Sequence, residues 1–168
     1  MLGKLSISLI SFIIAGVAMA DDQLSLAQEP VITLPIAERM VDGCKAFALE
    51  HNLDPLAIAI YDAGGNEKLF VRQDGTPLVA AELVHLKART SAVINMDTGA
   101  LGDDVEFANA ERPLGLRYID GLTMVQGGVA IRTESGTLLG GIGVSGAPSE
   151  MDEACAKAGI DAVRDALK

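Results

Sequence analysis

The chain has 168 residues, a net charge of −10 from 23 acidic against 13 basic side chains, and 49% hydrophobic residues. Like-charge repulsion argues against nucleic acid and against anionic membrane surfaces as partners. The length fits one domain with a core large enough to be stable without staples.

Residues 1–20, MLGKLSISLISFIIAGVAMA, carry one cation at Lys4, an apolar run from Leu5 to Val17, and Ala18-Met19-Ala20 ahead of Asp21 and Asp22. That is the pattern of a secretory signal peptide cleaved after Ala20, so a periplasmic or secreted protein is expected. The run is too short to span a bilayer comfortably, and no later stretch is apolar over about twenty residues, so no membrane partner is expected. Residues 21–33 are polar and irregular and read as a flexible N-terminal arm, and residues 34–168 read as a single domain.

Leu34 to His51 predict an amphipathic helix, ended near Asn52 because the residue before Pro55 resists helical geometry. Two apolar runs, Leu56 to Tyr61 and Lys68 to Gln73, flank Ala63-Gly64-Gly65-Asn66 and predict a β-hairpin. A second helix is expected from Val79 to about Asn95, with Thr98 capping a short third one over Gly99 to Asn109. Three further strands follow: LTMVQ (122–126), GVAIRT (128–133), and LLGGIGVSG (138–146) after a turn at Glu134-Ser135-Gly136. Their tight connections imply antiparallel pairing. The last helix opens with Ser149 as N-cap and Glu150, Asp152 and Glu153 in its first turn, and ends with Arg164 and Lys168. This order of elements is that of an α+β fold, a sheet with helices packed against it.

GIGVSG, residues 141–146, matches the glycine fingerprint of dinucleotide-binding enzymes, but Ile142 and Val144 alternate with small residues in period two, which places the glycines inside a strand. No second parallel strand remains before Lys168 to complete a βαβ unit, so nicotinamide or flavin binding is not expected. Small residues in a strand let another backbone approach, whether of a helix, a subunit or a ligand. Gly143-Val144-Ser145-Gly146-Ala147 misses the nucleophile elbow of hydrolases by its last residue. Cys44 and Cys155, the only cysteines, each lie on an apolar helical stripe, and two readings stay open: a disulfide between the terminal helices, or two small hydrophobes in the core.

Four stretches taken together, YDAGGNEKLFVRQDGTPL (61–78), HLKARTSA (85–92), GLTMVQGGVAI (121–131) and GTLLGGIGVSGAPSEMDEACAKAG (136–159), resemble the GlcG/HbpS-like haem-binding family, also found as the C-terminal domain of PduO-type proteins. The resemblance implies a profilin-like α+β fold with a five-stranded antiparallel sheet, a homo-oligomer, and haem or a related tetrapyrrole as a non-covalent ligand. A haem site needs an apolar slot, an axial ligand, and donors for the propionates. On the iron side the candidates are His85, Met96 and Thr98, of which His85 and Thr98 are the metal candidates. Lys87, Arg89, Arg112 and Arg117 are the candidate propionate partners, and Lys87-Ala88 with Thr90 matches the family's K-A-x-T helix.

Departures from the family pattern are specific. Asn66 stands where many relatives carry histidine, Ala130 where proline is usual, and Asp97 where a proline usually precedes the threonine. Each candidate also has a plainer reading. His85 suits a surface or interface, His51 the end of a helix, Asp62 a tight turn, and Lys87 with Arg89 a solvated helical face. The function expected is that of an exported carrier, buffer or sensor of haem. The alternatives are an enzyme that degrades haem or acts on a small organic substrate around Asp62, Lys87 and Thr90, and an accessory subunit of an exported oxidoreductase.

Overall fold

The computed structural model describes residues 29–103 and 119–168. The expected signal peptide, most of the expected arm, Arg112, Arg117 and the second half of the expected third helix lie outside the described residues.

Helix α1, Leu34–Glu50, starts after Thr33 with Pro35 in its first turn, where a missing N–H costs nothing. Its buried stripe is Ala37, Met40, Val41, Cys44 and Ala48. It stops where Asn52 turns left-handed and the Leu53 N–H bonds back to the Ala48 carbonyl at 3.0 Å. Strands β1, Ala57–Asp62, and β2, Glu67–Arg72, form the expected hairpin. Helix α2, Leu78–Ile94, ends on Asn95 in the left-handed region, and α3, Thr98–Asp103, follows at once. Strands β3, Gly128–Arg132, and β4, Leu138–Ser145, make a second antiparallel pair. Helix α4, Ser149–Asp161, and a 3-10 turn, Arg164–Leu167, close the chain.

The sheet order is β2-β1-β4-β3, antiparallel throughout, with β4 paired to β1 from Ala57↔Ser145 to Asp62↔Gly140. Alternation gives the sheet two unlike faces. Ile58, Ile60, Val129, Ile131, Ile142 and Val144 point to one side, where α1 and α4 complete the main core. Ala57, Ala59, Gly128, Ala130, Gly141 and Gly143 point to the other, and α2 packs on this face of small residues. The contact is backbone to backbone. A methyl group at Gly141 would lie 2.3 Å from Ser91 Oγ and 2.5 Å from the Ala88 carbonyl, and one at Gly143 would lie 2.5 Å from the Val84 carbonyl. The GIGVSG segment is thus an interior strand, and what approaches its glycines is a helix of the same chain.

The cysteines are joined: a Cys44–Cys155 disulfide ties α1 to α4 across a separation of 111 residues, with both residues fully buried. On the chain-entropy argument a loop of that length stabilises by about 4 to 5 kcal/mol.

Four strands, not five, are present among the described residues. The expected strand at Leu122–Gln126 is irregular. Its amides are taken by side chains, Thr123 N–H by Thr90 Oγ1 at 2.9 Å and Val125 N–H by Thr123 Oγ1 at 3.2 Å. The edge of β3 is closed as well: the Gly128 N–H donates to Thr98 Oγ1 at 2.9 Å and the Ala130 N–H to Asp97 Oδ1 at 3.0 Å. An edge whose amides are already bonded offers no ladder to a further strand. The last bond joins two departures noted in the sequence. Alanine supplies at position 130 an N–H that proline would lack, and Asp97 supplies the carboxylate that accepts it.

Two expected caps also differ. Thr98 opens α3 with its hydroxyl turned to Gly128, while Asp97 precedes the helix. Pro148 occupies the N-cap of α4 in place of Ser149, and the helix ends at Asp161 because Arg164 and the residues after it adopt the tighter 3-10 turn.

Substitution of Gly141 by alanine is expected to force α2 off the sheet and to destabilise the protein by about 3 kcal/mol, the upper part of the range for overpacking. The measurement is the urea midpoint, and a midpoint unchanged from wild type would contradict the seating of α2 described above.

Candidate functional site

Of the six candidate residues that the structure describes, helix α2 carries four, and the sheet contact fixes which way each faces. Ala88, Ser91 and Ala92 meet Gly141, while Val84 and Ala88 meet Gly143. With the helix so oriented, Lys87 and Thr90 are buried and His85 and Arg89 stand half exposed, one turn apart.

His85 sits against the β1–β2 hairpin. Along β1 the inward alanines give way to Tyr61, whose cross-strand partner is Glu67, and Phe70 stands opposite Ala59 on the same face. The His85 Nδ1 lies 3.0 Å from Glu67 Oε2 and 3.4 Å from the Tyr61 hydroxyl. Its ring centroid is 4.5 Å from that of Phe70. About a third of the His85 side chain remains open to solvent (32%). Burial, with Glu67 beside it, holds the Tyr61 phenol above the ordinary tyrosine range against the pull of Arg89. Arg89 itself reaches the Gly121 carbonyl with Nη1 at 3.2 Å.

Lys87 turns the other way. Its ammonium donates to the Val144 carbonyl at 2.9 Å and to Asp152 Oδ2 at 2.8 Å, with both side chains almost wholly buried. Asp152 also accepts the Ala147 N–H at 3.0 Å, so one buried pair links α2, β4 and the start of α4. Burial pushes the Asp152 carboxyl above the ordinary aspartate range, against the pull of Lys87 and of the amides of Ala147 and Gly146. Thr90 and Thr98 are fully buried, with hydroxyls engaged by Thr123 and Gly128. Met96 is half buried in the short connection between α2 and α3.

The structure therefore brings His85 and Arg89 together on one side of α2, and turns Lys87, Thr90 and Thr98 into the fold's internal bonding. Three neighbours of His85 escaped the sequence reading: Tyr61, Glu67 and Phe70. Their signal was the hairpin register, since a turn at residues 63–66 sets Tyr61 across from Glu67, but nothing local says that α2 crosses above them.

The remaining candidates take plainer roles. His51 caps α1, its Nδ1 lying 2.9 Å from the Phe47 carbonyl and its ring stacked on Phe47. Asp62 closes the hairpin turn by accepting the Asn66 backbone N–H at 2.9 Å and its side-chain amide at 3.2 Å. The Asn66 N–H, more than any other group, holds the Asp62 carboxyl below the ordinary aspartate range. Among the described residues no three of His, Cys, Asp or Glu converge to hold a metal ion, and no helix is long and apolar enough to cross a membrane.

Comparison with known proteins gives the surrounding picture. The family model described as haem degrading protein HbpS-like matches residues 32–161. The corrinoid adenosyltransferase PduO of Citrobacter freundii is 30% identical over 146 residues, which cover 86% of this chain and 43% of that protein. The chain thus spans less than half the length of that relative. The crystal structure of HbpS superposes with a TM-score of 0.71 at 31% identity, over 81% of this chain and 92% of that one. The crystal structure of a PduOC:heme complex gives 0.70 at 27% identity, over 79% and 95%.

Lys87→Met would strand the Asp152 carboxylate, or force it to take a proton, and is expected to cost about 3 to 5 kcal/mol, whereas the double variant Lys87→Met, Asp152→Leu recovers most of that loss. Chemical denaturation of the three proteins reads the difference. For Asp62 the sign follows from its depressed folded pKa: it contributes stability that is present above the unfolded value and lost as pH falls through the folded one. Asn66→Ala removes the side-chain part of that support, so the Asp62 titration midpoint, followed by NMR, moves up towards the ordinary value.

Proposed function

The chain belongs to the HbpS-like family of haem-degrading proteins, and from that premise we propose that it binds haem or a related tetrapyrrole without covalent attachment, as a carrier, buffer or sensor. The observation that carries this reading is the setting of His85. A half-exposed imidazole has one nitrogen 3.0 Å from a carboxylate oxygen and 3.4 Å from a tyrosine hydroxyl, while the other, among the described residues, has no partner. A lone nitrogen donor cannot hold a bare metal ion. It suits an iron whose four equatorial positions are already filled by a macrocycle.

The neighbouring groups fit the same ligand. Phe70 and Tyr61 offer aromatic surface beside the imidazole, and Arg89, one helical turn on, supplies a guanidinium for a propionate. Bound haem would bring the iron and its redox chemistry, and the protein's part would be to offer the His85 imidazole to the iron and the Arg89 guanidinium to a carboxylate. Of the iron-side candidates we take His85, since the Thr98 hydroxyl is buried and bonded to Gly128. Lys87 and Thr90 we assign to supporting α2 rather than to touching the ligand.

We also propose that the protein is exported, on the pattern of residues 1–20, and that it assembles as a homo-oligomer. Exposed Leu78, Val79 and Val93 on the helix that carries His85 favour the second point. A second functional reading, degradation of the bound haem, is favoured by the family description alone.

Titration of the purified protein with hemin is expected to give a saturable Soret shift, and His85→Ala to weaken binding at least tenfold. A hemin spectrum that never saturates would remove the binding reading, and an unchanged spectrum in His85→Ala would remove His85 from the iron. Loss of the Soret band with ascorbate in air, with release of a linear tetrapyrrole, would favour degradation over carriage.

A further inference from the structure

Glu67 and His85 come from different elements, strand β2 and helix α2, so their meeting is set by the tertiary fold and not by helical spacing. Glu67 Oε2 stands 3.0 Å from His85 Nδ1. A neutral imidazole has one donor and one acceptor nitrogen, whereas a carboxylate only accepts. A proton on the nitrogen facing Glu67 satisfies the carboxylate, and the Tyr61 hydroxyl 3.4 Å from that nitrogen then accepts instead of donating. We infer that Glu67 is the positioning residue of this site, holding His85 as the Nδ1–H tautomer with the Nε2 lone pair directed out of the protein towards the metal of the ligand.

Three observations support this beyond the single distance. Tyr61 lies across the hairpin from Glu67 and brings its hydroxyl to 3.4 Å from the same His85 Nδ1, so two oxygens converge on that nitrogen. Phe70 packs beside the His85 ring, limiting its rotation about the Cβ–Cγ bond. The pair is also poorly placed to serve stability, because both side chains are partly exposed, at 32% and 44%, and exposed pairs contribute little. A histidine that ligates a metal commonly gives its other N–H to a carboxylate, which fixes the ring and makes the ligating nitrogen more basic.

The inference rests on the haem reading above, and its test separates the two. Long-range proton–nitrogen NMR spectra of the ligand-free protein, at a pH where the imidazole is neutral, report the tautomer directly. Wild type is expected to carry the His85 proton on Nδ1, Glu67→Gln to keep it there, and Glu67→Ala to shift it towards Nε2 with the circular dichroism unchanged. The hemin affinity of Glu67→Ala is expected to fall about tenfold, with Glu67→Gln between it and wild type. Protonation of Nε2 in wild type, or a wild-type tautomer in Glu67→Ala, overturns the inference. Wild type with the expected tautomer but no uptake of hemin overturns the haem reading and the outward role of Nε2 with it, leaving only the orientation of the ring.

Discussion

Helix α2 lies on the sheet with almost no side chain between its backbone and the strand beneath. That contact exists because Gly141 and Gly143 have no Cβ, and because Ala57, Ala59, Gly128 and Ala130 extend the same low surface across three neighbouring strands. The opposite face is built of Ile58, Ile60, Ile142 and Val144 and stands off its helices by ordinary side-chain packing. One sheet thus holds helices at two different distances. A close-packed interior resists sliding and rolling, so the near helix is held in one rotation about its axis.

From that rotation the division of labour along α2 follows. Lys87 is buried where α2 meets β4 and the start of α4, where leaving its charge unpaired would be costly, and Asp152 with the Val144 carbonyl supplies the compensation. Thr90 and Thr98 bond the backbone of residues 123 and 128 and shape the path into β3. His85 and Arg89, on the remaining side, meet no such demand from the core. They are left to the rim with Tyr61, Glu67 and Phe70, where an imidazole can keep one nitrogen open.

The departures from the family pattern have a common thread. Ala130 and Asp97 stand where the resemblance leads one to expect proline, and they meet as donor and acceptor at the sheet edge. Asn66, where the resemblance leads one to expect histidine, bonds Asp62 within its own turn. Both hydrogen bonds lie where a loop meets the sheet, and they keep the sheet edge and the hairpin closed.

Period-two alternation of Ile142 and Val144 with glycine was enough to place GIGVSG in a strand, and helical spacing of Ala37, Met40 and Cys44 was enough to place the first cysteine on a buried stripe. Both are local patterns, written in the chain by the geometry of the element that carries them. The amino-acid order by itself determined the first two helices, the place of the last one, the hairpin, the antiparallel character of the sheet and the family. It did not determine that Leu122–Gln126 stays irregular, that Cys44 meets Cys155, that Lys87 is buried while Arg89 is not, or that Glu67 reaches His85. Those were decided by the tertiary structure, because each depends on where two distant segments touch, and the touching is set by the close seat of α2 on glycine, which no single segment contains.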